Sequence, residues 1–407
     1  MISIEEGLEI VTSLARSKIG PDFMPAEYVP LVSSVGRILR EDAHSDTDSP
    51  PFDRSIKDGF AVRVSDLSDA GADLKVVGES RAGQSFEGSV GPGECCEIMT
   101  GASVPEGADA VVMVEYTERP SRDIVRIRCG ARGGENIQPE GTEARRGDLI
   151  LPTGRGIRTS DLGILATVGK SQVLVSAKPR VAIISTGDEL VDVDRQPGRD
   201  QIRNSNSYTL YAQILQAGGQ PEMLGIARDN VADLREKIGE GLKRNILLAS
   251  GGVSMGKYDL VEGIFDEFGV EVSFDKVAMK PGKPTVFGHR DKTFVFGLPG
   301  NPVSTMVSFE LLVRPLIRLL LQASDQEGTV LEAILKEEFR CDPVRFGCLP
   351  VSVRFEDGAY RLSRVQWKGS SDLVGLSQAN AYVLLPRQEG HLGAGTAVKF
   401  IPIAADC

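Results

Sequence analysis

The sequence predicts a multidomain chain of the α/β plus β class, organised around one parallel-sheet α/β domain at residues 179–325. Three observations predict it. From Arg180 to Leu321, short apolar runs alternate with amphipathic helical stretches, the pattern of parallel strands joined by crossover helices. Residues 45–145 and 326–407 instead carry short β-favouring runs separated by Gly, Pro, Asp and Ser. The 407 residues are 41% hydrophobic, enough for several ordinary cores.

Each element follows from its own pattern. Ile4, Leu8, Val11 and Leu14 recur at helical spacing over residues 3–18, and Gly20-Pro21 ends that helix. Residues 27–43 mix a short strand with a short helix. Strands are expected at Phe60–Val64, Leu74–Val77, Ala110–Glu115 and Ile124–Arg128. Thr159-Ser160-Asp161 is a helix start. In the α/β domain, strands are expected at Val181–Ile184, Met223–Ile226, Ile246–Ala249 and Thr293–Phe296. The helices lie at 205–217, 231–243, 259–268 and 303–321, the first stopped by Gly218-Gly219. Residues 270–290 break the alternation and predict a hairpin. After Glu327, runs at Phe339, Val351–Phe355, Tyr360–Val365, Ala381–Leu385 and Ala397–Ile401 predict a small β-barrel or sandwich.

Composition excludes several functions. Lys and Arg number 46 against 57 Asp and Glu, a net charge of −11, which opposes nucleic acid or an anionic membrane as a general partner. The amino terminus lacks a basic start and an apolar stretch, so it does not read as a signal peptide. The most apolar segment, Leu311 to Leu321, contains Arg314, Pro315 and Arg318 and is too short to span a bilayer. None of the six cysteines forms a Cys-x-x-Cys pair, and the three histidines lie apart. That opposes a zinc site and Ser-His or Cys-His chemistry, and fits a reducing cytoplasm.

Ligands of open α/β sheets sit at the carboxyl ends of the strands. Here those ends read Ser185-Thr186-Gly187-Asp188-Glu189, Ala227-Arg228-Asp229, Ser250-Gly251-Gly252-Val253-Ser254-Met255-Gly256 and Gly297-Leu298-Pro299-Gly300-Asn301-Pro302. Four turns rich in Gly, Pro or acid on one edge favour a binding rim. Alone, Ser250 to Gly256 is either a tight turn or a cradle of backbone N–H groups for an anion. Lys276, Lys280 and Lys283 are either solvated charges or, beside that loop, partners for an oxyanion. Asp188, Glu189, Asp229 and Asp259 are the rim acids; Asp229 and Asp259 are also placed to cap helices. Several carboxylates beside a phosphate site suit Mg²⁺, which takes oxygen ligands. Asp58-Gly59 reads as a turn into a strand, and Thr100 as a hydroxyl at a strand end.

As a set, these motifs resemble the MoeA family of molybdopterin molybdenumtransferases, which includes the E domain of gephyrin. The resemblance rests on Pro50-Pro51-Phe52-Asp53 with Asp58-Gly59-Phe60-Ala61-Val62-Arg63, on Met99-Thr100-Gly101-Ala102 and on Ser185 to Leu190. It rests also on Ser250 to Gly256 with Asp259, Lys280 to Pro284, and Leu298 to Ser304. It implies four domains: an elongated linking domain (1–44 and 146–178), an inserted mostly β module (45–145), a MogA-like α/β domain (179–325) and a carboxyl-terminal barrel-like domain (326–407). It implies a cytoplasmic homodimer whose site lies between the α/β domain of one subunit and the inserted module of the other.

The implied reaction is that of a transferase in molybdenum cofactor biosynthesis. Molybdate is inserted into adenylylated molybdopterin, AMP leaves, and Mg²⁺ is the cofactor. Asp58, Thr100, Glu189 and Asp259 are then the catalytic residues. Ser185, Thr186, Gly251, Gly252, Ser254, Gly256, Lys276, Lys280, Lys283, Pro299 and Pro302 bind substrate. Asp188, Glu189, Asp229 and Asp259 hold metal. The adenylyltransferase and acceptor molybdoenzymes are further implied partners. One departure stands out: Glu143 occupies the place where the family tends to have aspartate. Two other readings compete. An adenylyltransferase that activates molybdopterin would resemble only 178–323, so the flanking modules oppose it. A gephyrin-like scaffold would bring a further fused domain and a long linker, neither of which is expected here.

Overall fold

The computed structural model describes residues 1–18, 20, 24–252, 260–326 and 328–403. Its central sheet has six strands in the order Gln220–Ala227, Arg180–Thr186, Ile246–Ser250, Thr293–Leu298, Val286–Arg290, Glu271–Phe274. The first four run parallel, as the alternation predicts. The last two are antiparallel additions, so the sheet is mixed at one edge. They are the two arms of the expected 270–290 hairpin, joined by a long connection instead of a tight turn.

Period-two alternation splits this sheet between two cores. Val181, Ile183, Ile246, Leu248, Phe294 and Phe296 face one layer, with Leu210, Ile214, Leu312 and Leu316. Ala182, Ile184, Leu247, Ala249 and Val295 face the other, with Leu234, Ile238, Ile264 and Phe265. Burial on both faces explains the unbroken apolar runs in the sequence. Each fully buried large side chain contributes roughly 1.5–3 kcal/mol. The helices are Asn206–Ala217, Val231–Gly241 and Leu260–Glu267, each close to its expected span. Gly218 ends the first with φ +93°, a left-handed conformation that glycine adopts at little cost. The expected helix at 303–321 is interrupted. Pro302–Ser308 and Arg314–Leu320 are α-helical, but Phe309–Val313 widens into a π-turn. Pro315 has no N–H to offer the preceding turn, which is a local cause for the break.

The amino-terminal helix, Ile4–Lys18, buries Ile4, Val11 and Ala15 against this same core. A separate layer pairs Ala26–Pro30 with Gln172–Ser176, and Ala43–His44 with Leu149–Leu151. The chain leaves that layer near residue 45 and returns near 148. In between, six strands form their own sheet, ordered Ala110–Met113, Gly59–Val62, Glu94–Ile98, Ala72–Ser80, Ile124–Ile127, Thr117–Ser121. The end of Glu94–Ile98 was expected ahead of Thr100, but its span was not, because Glu94 and Glu97 mask its apolar positions.

The carboxyl-terminal strands close into a five-stranded barrel. Phe346–Glu356, Ala359–Arg364, Leu331–Leu335, Ala397–Pro402 and Ala381–Leu385 pair in turn, and the last returns to the first. Met279–Lys280, from the long connection of the α/β sheet, adds to the barrel beside Phe346–Gly347.

Cys95, Cys96 and Cys348 are buried. Burial pushes the thiols of Cys95 and Cys96 up to about 12 and that of Cys348 higher still. Native protein should therefore leave these three unmodified by iodoacetamide near pH 8, and denaturant should release them. Mass spectrometry of the alkylated protein, with and without denaturant, checks this.

Candidate functional site

The order of the parallel strands reverses between Arg180–Thr186 and Ile246–Ser250, and such a switch point opens a crevice at the strand ends. Ser185 pairs with Ser250, and Ser250 with Leu298, so the three ends are level. Thr186 is 3% exposed, and its hydroxyl has no hydrogen-bond partner among the described residues. It lies against the glycine turn. A Cβ on Gly251 would come 2.6 Å from the Thr186 carbonyl oxygen, and one on Gly252 would come 2.7 Å from the Thr186 hydroxyl. Both glycines have positive φ, at +95° and +63°. The turn is thus glycine for two reasons, conformation and lack of room.

Of the expected loop residues, Gly251 and Gly252 are where the sequence places them, whereas Ser254, Gly256 and Asp259 lie outside the described residues. Ser185 has a different place from the one expected. Its hydroxyl is buried and bonded to Asn204 Oδ1 at 3.0 Å and Ser207 Oγ at 2.9 Å. It therefore anchors the start of the Asn206–Ala217 helix to the strand.

The acids Asp188 and Asp229 hold one another. The Asp229 N–H donates to Asp188 Oδ1 at 3.2 Å, and the Asp188 N–H donates to Asp229 Oδ2 at 3.4 Å. Arg228 braces the same turn by donating to the carbonyls of Asp188 and Leu190, at 3.2 and 3.0 Å. Glu189 folds back so that its carboxylate covers Gly187, where a Cβ would overlap its Oε2 and stand 2.6 Å from the carboxyl carbon. Among the described residues, no three His, Cys, Asp or Glu gather as a closed metal-binding set. Two adjoining carboxylates are nevertheless what Mg²⁺ uses when waters and substrate phosphates complete its shell.

The antiparallel strands bring the lysines to this edge. Val286 pairs with Gly297 and Phe274 with Phe287, so residues 275–285 emerge beside the carboxyl ends of the parallel strands. Lys280 and Lys283 are exposed there. The Lys276 ammonium lies 3.2 Å from the carboxylate of Asp275. Pro299 and Pro302 flank the last turn, and Pro302 opens its helix at the position where a missing N–H costs least.

Two pieces of the rim escaped the sequence reading. Asn206 donates to Ser250 Oγ and to the Gly300 carbonyl, both at 2.8 Å. The cluster Asn204-Ser205-Asn206-Ser207 ahead of an apolar helical repeat was the available signal. The barrel also reaches the rim, since the Val303 N–H donates to the Ser370 carbonyl at 3.0 Å. No local pattern announces that contact, because its partners are 67 positions apart. An open hollow of about 750 Å³ among Asp69, Gly130, Arg132 and Glu135 lies on the inserted sheet, away from these strand ends.

In the inserted sheet, Asp58 and Thr100 meet. The Thr100 N–H donates to Asp58 Oδ1 at 2.6 Å and the Thr100 hydroxyl donates to the same oxygen at 2.7 Å. These two bonds hold the exposed Asp58 carboxyl below the usual aspartate range. As expected, the chain bends at Asp58 and enters a strand: Gly59 begins it, pairing with Ile98 on one side and Met113 on the other. Glu143 joins a cluster at the root of the insertion. It accepts from Ser49 Oγ at 2.7 Å, Gln138 Nε2 at 3.1 Å and Arg54 at 2.9 Å, and these contacts lower its pKa. The exposed Arg54–Glu143 pair adds little stability by itself.

Comparison with known proteins agrees with this layout. Residues 2–169 match the MoeA N-terminal region (domain I and II), 182–319 the probable molybdopterin binding domain, and 332–403 the MoeA C-terminal region (domain IV). A molybdopterin molybdenumtransferase of Bacillus subtilis is 36% identical over 387 residues, covering 93% of this chain and 90% of that protein. One of Staphylococcus aureus is 34% identical over 412 residues, covering 100% and 96%. The crystal structure of the molybdopterin biosynthesis protein MoeA of Pyrococcus horikoshii superimposes with a TM-score of 0.83 at 28% identity, covering 98% of this chain and 99% of that one. With ordered matches along nearly its whole length, the chain belongs to the MoeA family of molybdopterin molybdenumtransferases.

Proposed function

We propose that this chain, a molybdenumtransferase of molybdenum cofactor biosynthesis, joins molybdate to adenylylated molybdopterin and releases AMP. The observation that carries the reading is the convergence of the glycine turn, the acid pair and the lysine-bearing connection on one edge of one sheet. The backbone N–H group of Gly252, with Lys276, Lys280 and Lys283, supplies the positive field that phosphate and molybdate oxygens need. The residues fit a magnesium ion, which Asp188 and Asp229 would hold, aided by Glu189 and Asp259. When bound, the ion supplies charge neutralisation at the phosphoanhydride. Water then cleaves the phosphoanhydride and AMP departs. Two thiol protons leave with one oxo oxygen as water while both dithiolene sulfurs bind molybdenum.

Asp58 is read as a fixed negative charge, because its lowered pKa makes it a poor proton store near neutral pH. In the proposed homodimer, Asp58 and Thr100 of one subunit complete the rim of the other. The expected domain division accompanies this reading, supported by the strand pairs that bracket the insertion and with the first helix packed on the α/β core. A cytoplasmic location accords with the cysteines of the described residues, which are unpaired. No helix among the described residues is long and apolar enough to cross a membrane.

The test is to supply purified protein with adenylylated molybdopterin, with and without molybdate and Mg²⁺, and to measure AMP. Release that depends on molybdate supports the proposal; ATP consumption with no such release ends it. Lys280→Ala combined with Lys283→Ala should raise KM for adenylylated molybdopterin by roughly ten- to a hundredfold, the loss of one or two charge-assisted contacts. Steady-state kinetics at fixed ionic strength checks that expectation.

A further inference from the structure

We propose that Asn206 is a positioning residue of the rim, fixing the distance between the glycine turn and the Pro299–Asn301 turn. This rests on the reading of that edge as the substrate site. The side-chain amide of Asn206 bonds both turns at once, beside the direct bond from the Gly251 N–H to the Leu298 carbonyl at 3.1 Å. It donates to Ser250 Oγ and to the carbonyl oxygen of Gly300, each at 2.8 Å, and approaches Thr305 Oγ1 at 3.4 Å. The carbonyl can only accept, so it fixes which end of the amide faces the turns. The donor end is committed to three oxygens, yet Oδ1 is buried with no partner among the described residues. An amide kept for general stability would use both ends; this one is kept for its donor.

The surroundings extend the same device. Ser250 Oγ also lies 3.4 Å from the Pro299 carbonyl, and Thr305 bonds that carbonyl and, at 3.1 Å, the Asn301 carbonyl. A Cβ on Gly300 would stand 3.6 Å from Gly251 Cα, so the two turns nearly touch and small shifts alter their spacing. Asn206 itself is set by the helix start, which Ser185, Asn204 and Ser207 lock to the first strand. The chain of contacts therefore references both gripping turns to the strand at the switch point. Misplacing a bound group by an ångström can cost about a hundredfold in rate.

The experiment compares Asn206→Asp, which keeps the shape but replaces the donor with an acceptor, and Asn206→Ser, which shortens the arm. The two lysine substitutions described above serve as the reference for the rim itself. For both Asn206 variants we expect kcat/KM for molybdate-dependent AMP release to fall by roughly ten- to a hundredfold. KM for adenylylated molybdopterin should rise, and Tm should stay within a few degrees of wild type. Asn206→Asp should be the worse of the two, although it is the closer in shape. Wild-type kcat/KM in either variant, with the lysine variants impaired, overturns the positioning role and leaves the rim in place. Wild-type behaviour in all the variants overturns the reading of the rim. A fall in activity that only follows a fall in Tm also overturns the proposal.

Discussion

Asp58→Asn should slow molybdate-dependent AMP release by roughly a hundred- to a thousandfold while leaving the thermal unfolding curve unchanged. The magnitude is that of losing one preorganised electrostatic partner. Asparagine keeps an Oδ1 that accepts from the Thr100 N–H and hydroxyl, so the local geometry survives and the charge alone is removed. The side chain is exposed, which is why little stability should be lost. A wild-type rate in this variant would remove Asp58 from the site.

The pH dependence has a definite sign. Hydrogen bonds from Thr100 favour the ionised form of Asp58 and lower its pKa. The charge therefore persists as pH falls through the ordinary aspartate range and is lost only below it. Thr100→Val removes the hydroxyl bond but keeps the N–H, so the Asp58 pKa should move upward, towards its usual value. Carbon-13 NMR titration of the carboxyl reads this directly. An acid limb of wild-type activity lying above the aspartate range belongs to some other group.

The second large effect concerns stability. Gly59→Ala should cost about 3 kcal/mol, at the upper end of overpacking penalties. A Cβ there would overlap the carbonyl oxygen of Val112, with the carbonyl carbon at 2.8 Å and Met113 Cα at 3.0 Å. All three are backbone atoms of a paired strand, so relief requires breaking the ladder to Met113 or Ile98. Asp58 precedes this residue, so activity should fall along with the midpoint of urea unfolding. Gly163→Ala is the control. It lies in the Thr159–Thr167 helix with nothing within 4 Å of its Cβ, and should change stability by less than about 1 kcal/mol, in the favourable direction. Equal midpoints for Gly59→Ala and wild type would show that the sheet can part there.

The α/β core was legible because both faces of its strands are buried, and runs such as Val181 to Ile184 carry no competing signal. The same logic concealed Glu94–Ile98, whose charged residues interrupt its apolar positions. The acids and lysines of the rim were legible as motifs, since turns after parallel strands share one edge by topology. What each does with its polar atoms was not. Ser185 and Thr186 are adjacent hydroxyls in one motif, yet the first is consumed inside the fold and the second has no partner among the described residues. That difference depends on Asn204 and Ser207, which no spacing rule connects to Ser185. The meeting of Asp58 with Thr100 likewise needs a strand pair that only the folded sheet defines.

The short pairing of Met279–Lys280 with the barrel makes the lysine-bearing connection a passenger of two bodies at once. Both ends are rooted in the mixed sheet and the middle is stitched to Phe346–Gly347. Loosening the barrel would thus slacken the stretch that carries Lys280 before the sheet itself melts. On gradual heating, affinity for adenylylated molybdopterin, the proposed substrate, should fade ahead of the main calorimetric transition.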